Sequence, residues 1–149
     1  MHHKLFKDPL FKKGLKIRKA VLGAGDIEQR IRNANHYTIG FEEITTKAAW
    51  GIIWSRPGLA RKSRSLLNIG ILTAMRQPVE LRLHIRVALR NGLTRKEISE
   101  AILHCSVYCG IPRAADARRV MCEVFDQVDA EAAASRKSQR TVNKKVKRL

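Results

Sequence analysis

The sequence predicts an all-α fold, a compact bundle of six to seven helices, and three observations carry that expectation. Hydrophobic residues fill 44% of the 149 positions while aromatics fill only 5%. The core must then be built from Leu, Ile, Val and Ala, which suit packed helices better than sheets. Apolar residues recur at three- and four-residue spacing along most of the chain, with no sustained alternation of period two. Proline, glycine and capping residues punctuate that pattern at helix-length intervals, and no repeat of solenoid length is present.

Asp8-Pro9 reads as an N-cap with proline in the first turn, opening a strongly basic helix whose stripe of Phe11, Leu15, Val21 and Leu22 ends at Gly23. Asp26 is expected to cap a short second helix with Ile27 and Ile31. A third begins near Phe41, with Ile44, Ala48, Ile52 and Ile53 as its apolar side, and breaks at Arg56-Pro57-Gly58. From Arg61 to Met75 apolar residues run nearly all round, predicting a central helix buried on most sides. Gln77-Pro78 ends it and starts the next, Val79 to Asn91, closed by Gly92. Thr94 and Glu97 form a capping box for a helix running to Gly110, and Pro112 opens a last helix to about Ala134.

A chain of this length suggests one domain, residues 1–130, followed by a basic tail. The net charge of +17 lies largely at the ends: residues 1–22 carry seven Lys or Arg against Asp8, and residues 131–149 carry seven against Glu131. The last stretch has few apolar residues with which to pack and is expected to be disordered. Basic ends raise a binding role, with nucleic acid held through phosphate neutralisation. Without interleaved aromatics or a recognition motif they would give salt-sensitive, sequence-blind affinity only. An odd count of three cysteines and the lack of an export leader point to the cytoplasm, and no run is long and apolar enough to span a membrane. His2 and His3 directly follow the initiator Met and are left out of site reasoning.

Glu80 and His84 stand one helical turn apart, so a carboxylate lies within reach of an imidazole and would raise its pKa or fix its tautomer, as a proton donor near neutral pH requires. By spacing alone the pair is an ordinary surface ion pair. Arg82, Arg86 and Arg90 repeat on the neighbouring face, and Arg61, Lys62 and Arg64 open the preceding helix; each can clamp a carboxylate, and each can equally be a solvated cation. Cys105 and Cys109, spaced wider than a redox CxxC and lacking a second pair for zinc, read with Cys122 as small core residues. No Walker loop, GxGxxG, HExxH or GxSxG is present, so nothing in the sequence asks for a nucleotide or a metal.

The run Trp50-Gly51-Ile52-Ile53-Trp54-Ser55-Arg56-Pro57-Gly58-Leu59, then Arg61-Lys62-Ser63-Arg64-Ser65-Leu66, resembles the signature of 4-carboxymuconolactone decarboxylases. Residues Glu80 to Gly92 resemble that family's next helix and turn, and Val107 to Pro112 its following breakpoint. The likeness covers about residues 11–128. It implies an alkylhydroperoxidase D-like helical subunit, a ring-like homo-oligomer (trimer or hexamer), and cofactor-free loss of CO₂ from 4-carboxymuconolactone to give 3-oxoadipate enol-lactone in aromatic breakdown. The substrate's own conjugated lactone would accept the electrons, so no cofactor is needed. On that resemblance His84 is the expected proton donor and Glu80 its orienting partner. Arg61, Arg64 and Arg82 are expected to hold carboxylate and oxyanion, and Trp50 to wall the site or pack beneath it.

Peroxidases of the same superfamily carry a CxxC three residues before a histidine and a relay glutamate one helix earlier. Here Gln77, Glu80 and Ser65 stand in those places, so the thiol apparatus is missing. Lys47 and Ala48 replace the acidic and aromatic residues usual before the tryptophan. That departure leaves open a relative of the same fold acting on another carboxylated lactone or a β-keto acid.

Overall fold

The computed structural model describes residues 2–146, with side chains from 5 to 139. Over these residues the chain is helical throughout and has no strand: α1 (Pro9–Leu22), α2 (Ala24–Asn33), α3 (Ile39–Ile44), a π-helical segment (Thr45–Ile53), α4 (Arg61–Ala74), α5 (Pro78–Arg90), α6 (Arg95–Tyr108) and α7 (Ile111–Val146), preceded by a 3-10 turn at His2–Lys7. The all-α expectation and the helix count are borne out. The elements fall into two units, residues 1–65 with 90–92, and residues 66–89 with 93–149.

In the first unit, Asp8 caps α1 by accepting from the backbone N–H of Leu10 and Phe11, and Gly23 ends it at φ 105°. Helix α2 starts at Ala24, so Asp26 lies inside its first turn, where it favours the helix dipole without serving as the cap. Helix α1 crosses the π-helical segment at glycines on both sides. A Cβ on Gly14 would stand 2.1 Å from the Thr46 carbonyl oxygen, and one on Gly51 2.9 Å from the Leu10 carbonyl oxygen. Only bare backbone permits an approach that close.

The apolar side expected for the third helix is overturned. Phe41, Ile44, Ile52 and Ile53 are exposed, and the buried positions are Glu42, Thr46, Trp50 and Gly51. The inward face repeats every four residues and is polar at two of them because Arg18 of α1 meets it. The Arg18 guanidinium, 2% exposed, donates to Glu42 Oε2 at 2.6 Å and to Thr46 Oγ1 at 2.9 Å. A buried cation needs such partners, and they determine which face turns inward. Lys47 ties the π-helical segment to the cap of α1 through Asp8 at 2.7 Å and to Glu43 at 2.5 Å. The Lys47 ammonium holds the Asp8 carboxyl below its usual range, helped by the cap hydrogen bonds.

The second unit is an apolar core of Ile69, Leu81, Ile85, Ala88, Leu93, Ile98, Ile102, Val120 and Val124, drawn from α4 to α7. The capping box is present: Thr94 accepts from the Glu97 backbone and Glu97 from the Thr94 backbone. Helix α4 is not buried all round. Ile69 and Thr73 face inward while Leu66, Leu67 and Ile71 are exposed. Helix α7 runs past the expected end near Ala134, and residues 131–139 are exposed at every position. The basic side chains from Arg140 onward, like His2 and His3, lie outside the described ones. No described helix is long and apolar enough to cross a membrane.

Candidate active site

His84 lies midway along α5, whose Leu81, Ile85 and Ala88 face the core and leave the imidazole half-buried at the edge of the packed side. Asn68 of α4 meets it, with Nδ2 3.3 Å from His84 Nδ1. An amide N–H donating to Nδ1 leaves the neutral ring with its proton on Nε2, available as a donor. Because an amide carries a donor and an acceptor at one end, a half-turn of the Asn68 side chain would offer Oδ1 to a protonated Nδ1 instead. Both charge states of the ring can therefore be held in place.

Burial lowers the His84 pKa, and the charge of Glu80 raises it by less. The upward shift expected from the carboxylate is thus outweighed by desolvation, a correction to the reading from spacing. Glu80 is exposed and acts on the ring through its field; the hydrogen bond to the imidazole comes from Asn68. Arg82, on the adjacent face of α5, is paired with Glu123 of α7. Arg86 is bound to Glu131 at 2.9 Å and to Gln127 at 2.9 Å. The arginine row expected to meet a ligand or water thus includes two members engaged by acidic or amide groups of α7.

Trp50, Arg61 and Arg64 belong to the first unit. Trp50 is buried, with its ring 4.9 Å from that of Trp54 and tilted 37°, a packing arrangement. Arg61 is exposed in the first turn of α4. Arg64 donates from Nη2 to the Arg56 carbonyl at 3.1 Å, while its buried Nε has no partner among the described residues. Asn91 donates to the buried Ser65 hydroxyl at 2.9 Å, so the serine standing at the relay position is a structural acceptor. Arg90 donates to the Leu22 carbonyl at 2.5 Å, helping to close the end of α1.

Cys105 is buried, and burial followed by the neighbouring Cys109 thiol pushes its pKa up, which keeps it a thiol. Cys109 is half-buried and Cys122 exposed, so reading all three as core residues holds only for Cys105. Among the described residues no three His, Cys, Asp or Glu side chains converge as a metal would need.

Asn68 is the site residue missed by sequence reasoning. Its signal was a lone amide in the otherwise apolar run Leu66 to Ala74, which shares with Thr73 the only polar side chains there.

The carboxymuconolactone decarboxylase family model matches residues 40–123, a span that holds Asn68, His84, Arg61, Arg64 and Arg82. The chain is 46% identical over 121 residues to the nitrosuccinic acid decarboxylase of Metarhizium robertsii, covering 80% of this chain and 85% of that one. It is 42% identical over 115 residues to the 4-carboxymuconolactone decarboxylase of Acinetobacter baylyi, covering 77% and 86%. Both relatives are decarboxylases, and the chain is an enzyme of that carboxy-lyase type. It belongs to the carboxymuconolactone decarboxylase family.

Proposed function

We propose that this enzyme decarboxylates, without a cofactor, a succinate that carries an electron-accepting group on the carbon losing CO₂, with 4-carboxymuconolactone as the leading substrate. The support is chemical. In 4-carboxymuconolactone one ring carbon bears both the departing carboxylate and a CH₂–COO⁻ arm, and is attached to a C=C bond conjugated with the lactone carbonyl. Nitrosuccinate places the same two groups beside a nitro group. In each, the C–C bond to the carboxylate breaks, CO₂ leaves, and the electron pair moves into the acceptor as a dienolate or a nitronate. Protonation of a carbon of that anion completes the reaction, and the unsaturated lactone or nitro acid is released with its CH₂–COO⁻ arm intact.

The observation that carries this reading is the half-buried His84 held by Asn68. The negative charge of the bound substrate opposes the desolvation that keeps the ring neutral, and so favours the imidazolium that donates to carbon. Glu80 supports the same charge state from one turn away. Arg64 binds the retained carboxylate in this proposal. Its buried Nε lacks a partner among the described residues. Arg61, in the first turn of the same helix, and Arg82 assist through their charge.

The exposed residues Leu67 and Ile71 on α4 with Met75 just past it, and Leu103, Val107 and Ile111 along α6 and into α7, support assembly of a homo-oligomer, a trimer or hexamer. Three unpaired cysteines support a reducing cytoplasm.

The test is a spectrophotometric assay with freshly generated 4-carboxymuconolactone and, in parallel, nitrosuccinate. Turnover of the lactone at the higher kcat/KM supports the leading reading. Preference for nitrosuccinate, toward which the 46% identity points, replaces the substrate but keeps the mechanism. His84→Ala should lower kcat by roughly 10²–10⁴, and near wild-type turnover in that variant would refute the assignment.

A further inference from the structure

A cavity of about 340 Å³ lies in the second unit between the end of α4, the start of α5 and the N-terminal part of α7. His84 and Asn68 are not among its lining residues. One wall is apolar, formed by Leu72, Leu81 and Val120, and the rest carries Thr73, Arg76, Arg113 and Arg119.

Two features of this cavity are unexplained by the fold. Thr73 is 1% exposed, and its hydroxyl has no hydrogen-bond partner among the described residues. A buried hydroxyl left that way costs stability unless something in the adjoining space accepts from it or donates to it. Second, Arg76 holds φ 54°, the left-handed position just past α4, where Gln77 N–H returns to the Leu72 carbonyl. That helix end favours glycine, yet an arginine that lines the cavity occupies it.

The charges select the occupant. Asp116 is shared by Arg76, at 2.8 Å, and Arg119, so it neutralises about one of the two. Arg113 uses Nη1 on the Ala74 carbonyl at 2.6 Å, and no ion pair with a carboxylate is formed by it among the described residues. Glu123 is engaged by Arg82. The first turn of α5 opens here with Pro78, and the helix N-terminus adds positive potential, partly offset by the exposed Glu80 in the same turn.

We propose that this cavity is a second ligand site, distinct from that of His84, which binds a monocarboxylate with an apolar body. The carboxylate would sit between Thr73 Oγ1 and the Arg113 and Arg76 guanidinium groups, and the apolar part against Leu72, Leu81 and Val120. A bare inorganic anion would leave that wall unused, and a cation would meet three arginines and two carboxylates, Asp116 and Glu123, that arginines already engage.

Benzoate is the probe, with benzylamine and inorganic phosphate as charge and shape controls, added to the full-length protein at low salt. The readouts are amide chemical shifts and melting temperature. Benzoate should perturb Thr73, Ala117 and Val120 and raise the melting temperature, while phosphate and benzylamine do so at least fivefold more weakly. Thr73→Val should raise the melting temperature without ligand, because it removes an unpartnered hydroxyl, yet weaken benzoate binding about fivefold or more. Arg76→Gly should keep or raise the melting temperature while also weakening binding. His84→Gln should bind benzoate at this cavity like wild type.

The proposal is overturned by phosphate binding as well as benzoate, by shifts confined to the His84 face of α5, or by wild-type affinity in both Thr73→Val and Arg76→Gly. A fall in melting temperature for unliganded Thr73→Val would also overturn it, since the hydroxyl would then already be satisfied.

Discussion

In the unit built on α1, α2 and the π-helical segment, the centre holds a guanidinium, a carboxylate and a hydroxyl, Arg18, Glu42 and Thr46. In the unit built on α5, α6 and α7 the centre is Ile85, Ala88, Ile98, Ile102 and Val124. The first arrangement works only in one geometry, because each polar group depends on the others for the hydrogen bonds lost from water. The second depends on volume and tolerates approximate matches. One chain thus contains a directional core and a non-directional one, and the two should fail differently.

The largest effect should come from breaking each centre. Glu42→Ala strands a buried Arg18 and should cost about 3–5 kcal/mol, and Ile85→Ala should cost about 2–5 kcal/mol by opening a cavity. The double variant Arg18→Met with Glu42→Leu sharpens the contrast. An ion pair replaced by apolar residues of similar size should recover most of the loss. Urea denaturation midpoints measure all three. A double variant as unstable as Glu42→Ala would mean that the geometry, rather than the stranded charge, sets the cost.

Glycines give the next test. Gly14→Ala in α1 forces a methyl group to 2.1 Å from the Thr46 carbonyl, and backbone cannot yield as a flexible side chain can. The cost should be about 1–3 kcal/mol or more. Gly70→Ala in α4 places its methyl 3.9 Å from Cys105 Sγ, an ordinary contact, so helix propensity should prevail and stabilise by up to about 1 kcal/mol. Opposite signs for one substitution would confirm that the crossing of α1 with the π-helical segment uses glycine for close approach and that α4 does not. Equal losses would break the comparison.

The same division explains what the sequence made legible. Apolar spacing agrees with the buried positions Leu81, Ile85, Ile98, Ile102 and Val124 of α5 to α7, though Val107 and Tyr108 at the end of α6 are exposed. It fails for the third helix because periodicity cannot weigh a buried Arg18 on another element. The inward positions Glu42 and Thr46 become visible only once their partner is in place. Helix α4 was overestimated for a related reason: exposed apolar residues such as Leu66, Leu67 and Ile71 look the same in sequence as core residues. At the site, the Glu80 and His84 spacing was readable because both lie on one helix. Asn68 was not, because a contact between α4 and α5 has no local signature. The sign of the His84 shift escaped for a physical reason as well, since neighbouring charge is visible in sequence and burial is not.

That sign yields the smallest and most direct prediction. Burial favours neutral His84, so its pKa in the unliganded protein should lie below the ordinary value of about 6.5. Glu80 opposes this through space, and Glu80→Gln should lower the pKa further, by less at high salt because the carboxylate is exposed. A group with a depressed folded pKa that is neutral above it binds fewer protons when folded than when unfolded. Its contribution to stability is therefore complete above the unfolded pKa and is lost as pH falls from about 6.5 through the folded value. If the imidazolium is the donor, kcat/KM should begin to decline with rising pH below 6.5, and Glu80→Gln should move that limb to lower pH still. Imidazole resonances followed by NMR against pH, beside the kinetic profile, test both statements. A His84 pKa at or above 6.5 would show that the Glu80 field outweighs burial, and an upward move in Glu80→Gln would remove the carboxylate from any supporting role in the proton transfer.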